Sequence, residues 1–273
     1  MNVYCVIGDQ RVERSLSPIM HNSVFSGLEM DSKYVAFAIE PADLKNAVLG
    51  IKSLNISGAN VTVPHKETII PFLDGLSARA QTIGAVNTIV RNERAIVGHN
   101  TDVGGFGDLL DKFGISPKNS DVLIVGAGGA TRAILYSFVE RGYRKVSVVN
   151  RTHEKAIDLT SRLGGNAIPL ENLTESLRAT TLLVNTTSVS DFSEGSYFTE
   201  TIFNFLSYDN LQMVVDINYG RKPNLWADLA KRNNVAFADG LYMLAAQARR
   251  SFQLWTGIIT QMECFLRPLG LVE

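Results

Sequence analysis

Val122-Leu123-Ile124-Val125-Gly126-Ala127-Gly128-Gly129-Ala130-Thr131-Arg132-Ala133 is a continuous apolar run that passes into glycines and then into a helical pattern. Strand, glycine loop and helix in that order suit a dinucleotide. Gly126 permits a tight turn, Gly128 lets backbone approach a pyrophosphate, and a helix starting near Gly129 aims its amides at that charge. Ala127 and Ala130 belong to the same loop. Thr131 stands where the third glycine of G-x-G-x-x-G is usual.

Outward from this stretch, short β-rich runs alternate with helical ones, which predicts an α/β fold with mostly parallel sheets. Ahead of it the expected strands are Val3–Gly8, Tyr34–Ile39, Gly58–Val63, Ala85–Arg91 and Ala95–Gly98, with helices opening at Pro18 and at Glu40-Pro41. From Asp121 they are Asp121–Val125, Lys145–Val149, Thr181–Val184, Met213–Ile217 and a short one near Val235–Phe237. A helix is expected over about Phe106–Phe113, and the tail beyond Gly240 reads as helix alone.

At 273 residues two domains are expected. Residues 1–103, completed by helices at 240–273 that pack back, form a substrate domain; residues 104–239 form a Rossmann-type domain. With 26 basic and 27 acidic residues the net charge is −1, which gives no field for nucleic acid or an anionic membrane. Cys5 and Cys264, at opposite ends, make neither a disulfide framework nor a metal cluster, and point to a reducing, cytoplasmic compartment. The first residues read as a strand, not a signal peptide, and no apolar run reaches the roughly 18 residues of a membrane helix. A monomer and a homodimer fit equally.

The second strand of a dinucleotide fold usually ends in an acid that reads the ribose 2′-hydroxyl of NAD. Here Asn150-Arg151-Thr152-His153-Glu154-Lys155 follows Val149. Arg151, with Lys155 one turn later, suits a phosphate instead or is a solvated helix start; on the first reading the predicted cofactor is NADP. Thr152 is a candidate helix cap. Thr187 and Ser188, after the strand Thr181–Val184, read as cofactor contacts or as an ordinary turn. Ile217 and Gly240 close the cofactor set, and Tyr219 reads as a substrate contact or a packing aromatic.

Polar clusters stand where the first domain's strands end. In Ser15-Leu16-Ser17-Pro18, two hydroxyls face a ligand or Ser17 caps a helix. In Asn60-Val61-Thr62-Val63-Pro64-His65-Lys66, the lysine sits where a helix starts, an unfavourable place for a cation, so it reads as held for chemistry or an anion, or else as a surface lysine; His65 is read as structural. Asn87 interrupts a strand-like run where asparagine is disfavoured, which reads as a ligand contact or as a bulge or local backbone bond. Asp102, in Asn100-Thr101-Asp102, lies at the domain boundary.

Together these clusters resemble the shikimate/quinate dehydrogenase family across nearly the whole chain. The likeness rests on Ser-x-Ser-Pro-x-x-His-Asn, Asn-Val-Thr-x-Pro-His-Lys, Ile-Gly-Ala-Val-Asn-Thr and Asn-Thr-Asp, in that order, with Asn-Arg-Thr and the tail Asp239-Gly240-Leu241 through Gln247-Ala248 to Trp255-Thr256-Gly257. The resemblance implies reduction of 3-dehydroshikimate to shikimate by NADPH, in the synthesis of aromatic amino acids. It implies Lys66 and Asp102 as the catalytic pair, Ser15 and Ser17 on the substrate carboxylate, and Thr62, Asn87, Asp102 and Gln247 on ring hydroxyls.

The sequence departs from the family pattern at Arg14, often a histidine, and at Val189-Ser190-Asp191-Phe192, where Gly-Met is usual. Tyr242 replaces a common glycine, and Gly220-Arg221-Lys222-Pro223-Asn224 lacks the usual proline and threonine placement. Quinate or an amino-analogue of shikimate is the alternative substrate. A weakly catalytic protein that senses NADP or a shikimate-like ligand is the alternative class.

Overall fold

The computed structural model describes residues 1–93, 95–190, 197–205 and 208–272, without the side chains of 119 and 197–199. The departing Asp191 and Phe192 lie outside the described residues. The chain divides into two compact units, Met1–Asp108 with Tyr242–Glu273, and Leu109–Leu241.

The first unit runs β1 (Asn2–Gly8), α1 (Ser17–Gly27), β2 (Ser32–Ala38), α2 (Leu44–Ser53), β3 (Gly58–Val61), α3 (His65–Thr68), β4 (Gly75–Leu76), α4 (Ala78–Ile83), β5 (Thr88–Asn92), β6 (Ala95–His99) and the start of α5 (Asp102–Lys112). Its sheet has the order β2-β1-β3-β5-β6-β4. Among the described residues β5 alone runs against its neighbours, so this sheet is mixed. That follows from the short link between β5 and β6, which admits only a hairpin. Pro41 opens a 3-10 turn, and α2 begins only at Leu44.

The second unit runs β7 (Asp121–Val125), α6 (Gly129–Glu140), β8 (Lys145–Val149), α7 (His153–Leu163), β9 (Asn166–Ala167), α8 (Leu173–Ala179), β10 (Leu182–Asn185), α9 (Tyr197–Asn204), β11 (Met213–Asp216), α10 (Leu225–Arg232) and β12 (Ala236–Asp239). Every pairing in its sheet, β12-β11-β10-β7-β8-β9, is parallel. Val122, Leu123, Ile124 and Val125 are all buried, as a strand covered on both faces requires. Strand order reverses between β7 and β10, the place where such sheets hold ligands beyond their carboxyl ends.

The tail supplies α11 (Leu241–Thr256) and the short α12 (Glu263–Leu266). Ala245, Ala248, Phe252, Phe265 and Leu266 share one apolar core with Tyr4, Met20 and Phe25 of the first unit. Trp255 lies over Gly58, where a Cβ would come within 2.4 Å of the indole, and its Nε1 donates to Ile89 O at 2.9 Å. No helix among the described residues is long and apolar enough to cross a membrane.

His21, on α1, is enclosed in this core, stacked on Tyr34 at 4.4 Å with the rings 9° from parallel. Neither ring nitrogen has a hydrogen-bond partner among the described residues. Burial pushes its pKa down to about 3. The unfolded chain takes up that proton near pH 6.5 and the native chain does not, so this contribution is complete above about 6.5 and is lost toward 3. The loss runs at about 1.4 kcal/mol per pH unit. His21→Phe keeps the stack and removes the proton site. Urea unfolding at pH 4.5 and 7 should show a smaller acid loss in the variant; an identical loss would dismiss His21 as a source.

Candidate active site

Because β5 is reversed, β1, β3 and β6 end and β5 begins along one edge of the first sheet. Thr62 follows β3, Lys66 lies in α3, Asn87 precedes β5, and Asp102 opens α5 just after β6. Asn87, read as interrupting a strand, therefore stands at its threshold. There its backbone still pairs, donating to His99 O and accepting from Val61 N.

Lys66 Nζ donates to Asp102 Oδ2 at 2.7 Å, with the side chains 14% and 7% exposed. Two charges so far from water are tolerable only when paired and further hydrogen-bonded. Asn87 Nδ2 supplies the second bond, to Asp102 Oδ1 at 2.8 Å. The same nitrogen lies 2.9 Å from Thr101 Oγ1 and 3.2 Å from Gln247 Oε1 on α11, while Asn87 Oδ1 accepts from Thr101 N at 2.7 Å. Lys66, Asp102, Asn87 and Gln247 thus form one network with an ammonium at its rim.

Residues without an assigned role in the sequence lie behind it. Asn60 Nδ2 donates to Asn87 O, Thr88 Oγ1 and Ser251 Oγ, at 3.0–3.1 Å, and Tyr34 OH donates to Asn60 Oδ1 at 2.7 Å. The available signals were an asparagine within a strand and a serine on the buried face of a helix.

Ser15 and Ser17 follow β1 after a 3-10 turn, and no hydrogen bond among the described residues ties their side chains or that of Thr62 to the network. Ser17 does not cap α1: Leu16 holds that position, and Ser15 Oγ accepts from Ser17 N at 3.2 Å. His65 is buried, with Nε2 2.8 Å from Ile39 O, in keeping with a structural role.

In the second unit Gly126 has φ +115°, and a Cβ there would lie 2.6 Å from Thr186 Oγ1. A Cβ on Gly128 would meet nothing within 4 Å. Gly129 and Ala130 form the first turn of α6, and Ala127 is half-buried between the glycines. Thr131 Oγ1 bonds Thr186 Oγ1 at 2.7 Å, so the glycine loop and the segment after β10 meet at the switch point.

After β8, Asn150 Nδ2 donates to Thr152 O, while Arg151 and Lys155 are exposed and make no ion pair among the described residues. Thr152 occupies the N-cap position of α7, as expected, but its side chain makes no capping bond. Thr187 Oγ1 donates to Asn185 Oδ1 at 2.7 Å, while Ser188 is exposed. Gly240 is required by packing, since a Cβ would fall 2.0 Å from Ile217 O. Tyr219 is half-buried beyond β11.

Two family models match the chain: "Shikimate dehydrogenase substrate binding domain" over residues 6–89 and "Shikimate / quinate 5-dehydrogenase" over 109–236. A relative from Dictyoglomus turgidum named shikimate dehydrogenase (NADP(+)) is 40% identical, covering 93% of this chain and 91% of its own. One of the same name from Nitrosopumilus maritimus is 36% identical over 93% of both. Among solved structures, shikimate dehydrogenase from Aquifex aeolicus superposes with a TM-score of 0.87 at 36% identity, covering 98% and 97% of the two chains. The Thermus thermophilus enzyme, in complex with NADP(H) and shikimate, gives 0.86 at 32%, covering 98% of each. Matched in both of its units and along nearly its whole length, the chain belongs to the shikimate dehydrogenase family.

Proposed function

We propose that this chain reduces 3-dehydroshikimate to shikimate with NADPH, reversibly, as a step in aromatic amino-acid synthesis. The observation that carries the reading is the buried Lys66–Asp102 pair held by Asn87. The names of the relatives, and NADP(H) with shikimate in the Thermus thermophilus structure, support the same substrate and cofactor.

The second unit's residues fit a dinucleotide phosphate. The open space over Gly128 admits a pyrophosphate against the backbone at the start of α6, and Arg151 with Lys155 offers cations to a 2′-phosphate. Bound NADPH supplies the hydride for the substrate's carbonyl carbon. As the carbonyl oxygen gains charge, Lys66 Nζ stands as the proton source and electrostatic partner, and Asp102 fixes its position. Asn87 and Gln247, with Thr62 and Asp102, orient the ring hydroxyls, and Ser15 and Ser17 receive the carboxylate. Gln247 keeps its amide aligned by donating Nε2–H to Leu244 O.

Initial rates with shikimate, quinate and an amino-analogue, each with NADP and with NAD, test the reading. Fast turnover confined to shikimate with NADP is expected; preference for another substrate would move the role elsewhere while keeping the catalytic pair. Lys66→Ala should lower kcat by about 10²–10⁴-fold with a smaller change in KM; a near-normal kcat would remove Lys66 from the mechanism. Arg151→Ala should weaken NADPH binding by about 10–100-fold, the scale of one or two charge-assisted bonds, with NADH little affected. Unchanged NADPH affinity would refute the phosphate assignment. Gly128→Ala should weaken NADPH binding while leaving the melting temperature within about 2 °C, since its methyl meets only open space. A large fall in melting temperature would show that Gly128 serves the fold instead.

A further inference from the structure

Asp216, the last residue of β11, is fully buried and faces no cation among the described residues. Its donors are neutral and come from both sides. Oδ1 accepts from Asn185 Nδ2 at 2.8 Å, Asn218 Nδ2 at 2.8 Å and Asn218 N at 3.2 Å. Oδ2 accepts from Ser190 Oγ at 3.0 Å and Asn224 Nδ2 at 2.9 Å. Such a group is expensive to bury unless every lone pair is used, so the donors are fixed as firmly as the acceptor.

Asn185 ends β10, and the other donors belong to the two loops beyond the carboxyl ends of β10 and β11. The loops are laced further by Asn218 Nδ2 to Thr187 O, Leu225 N to Ser190 O and Trp226 Nε1 to Val189 O, all at 2.8–2.9 Å. Thr187 and Ser188 lie in one loop and Ile217 and Tyr219 in the other. Ser190 and Asn224 come from the two stretches where the sequence departs from the family pattern, and both reach the same oxygen. Asn224 works at both ends of its amide, because Oδ1 caps α10 by accepting from Trp226 N and Ala227 N.

We propose that Asp216 is a positioning residue of the NADP site, acting through a hydrogen-bond lock between the loops after β10 and β11, and that Ser190 and Asn224 are this chain's own matched half of it. The inference rests on the NADP reading above. The lock dictates a pattern of substitutions. Asp216→Asn turns an amide nitrogen toward Asn224 Nδ2, donor against donor, and Asn224 cannot flip without surrendering the α10 cap. Asn224→Asp keeps the cap but sets carboxylate against carboxylate. The double exchange, Asp216→Asn with Asn224→Asp, restores a donor facing an acceptor, keeps the cap, and leaves a carbonyl oxygen for Asn185 and Asn218.

The test is a titration of wild type, both single variants and the double variant with NADPH, followed by fluorescence, alongside KM for NADPH and for shikimate and a melting temperature for each. Each single variant should raise the NADPH dissociation constant about tenfold with the KM for shikimate changed less than threefold. The double variant should return to within about threefold of wild type. Additive losses in the double variant, or equal losses for NADPH and shikimate that track the melting temperature, overturn the lock as a device of the cofactor site. Wild type that fails to bind NADPH overturns the NADP reading itself, a result distinct from failed rescue in a wild type that binds.

Discussion

The carboxamide of Asn87 is the constraint on which the first unit depends. It is buried, so both of its ends need partners, and it finds them on segments far apart in the chain: Thr101 before α5, Asp102 at its start, and Gln247 on α11. Lost partners would leave buried donors and acceptors exposed to an apolar interior, at about 1–3 kcal/mol each. The reversed strand β5, imposed by its hairpin with β6, brings Asn87 to the edge where β1, β3 and β6 end. The Lys66–Asp102 pair is stable in place because this amide completes the carboxylate.

The second unit solves an equivalent problem with the opposite chemistry. Its planar group is a carboxylate, Asp216, and its partners are three asparagine amides and a serine hydroxyl. Both hubs stand at the carboxyl edge of a sheet, where strand hydrogen bonding stops and loop backbone must be held by something else. Neutral donors around Asp216 hold two loops without adding a second fixed charge. Asp239, at the end of the adjacent β12, has its carboxyl raised from the usual range by burial, with Asp216 adding to the effect.

What the sequence disclosed divides along the same line. The bounds of β7 and β8 are legible because each is a short run dominated by valine, leucine and isoleucine, opened by a charged residue and ended by glycine or asparagine. The two-residue strands β4 and β9 carry no period to detect. Lys66, Asp102, Asn87 and Gln247 were legible as a set through motif resemblance, and the geometry joins them. Asn60 and Ser251 were not, since each has partners set by folding rather than by neighbours in sequence. Asp216 lay inside the expected strand Met213–Ile217, whereas the strand ends at Asp216 itself and five donors from the chain turn toward its carboxylate.

The two units also differ in how they are strung on the chain. The second is continuous from Leu109 to Leu241, so all its strands emerge from synthesis in one uninterrupted stretch. The first is interrupted, and Asn87 waits for a partner 160 residues further on. Until α11 is made, the Asn87 carboxamide lacks Gln247, Gly58 lacks Trp255, and the apolar cluster of Tyr4 and Phe25 lacks Ala245, Ala248 and Phe252. Closing contacts of that sequence separation carries a larger chain-entropy cost than closing those within one continuous stretch. The second unit has its whole sequence in hand before α11 is made, whereas the network around Asn87 cannot close until Gln247 has emerged.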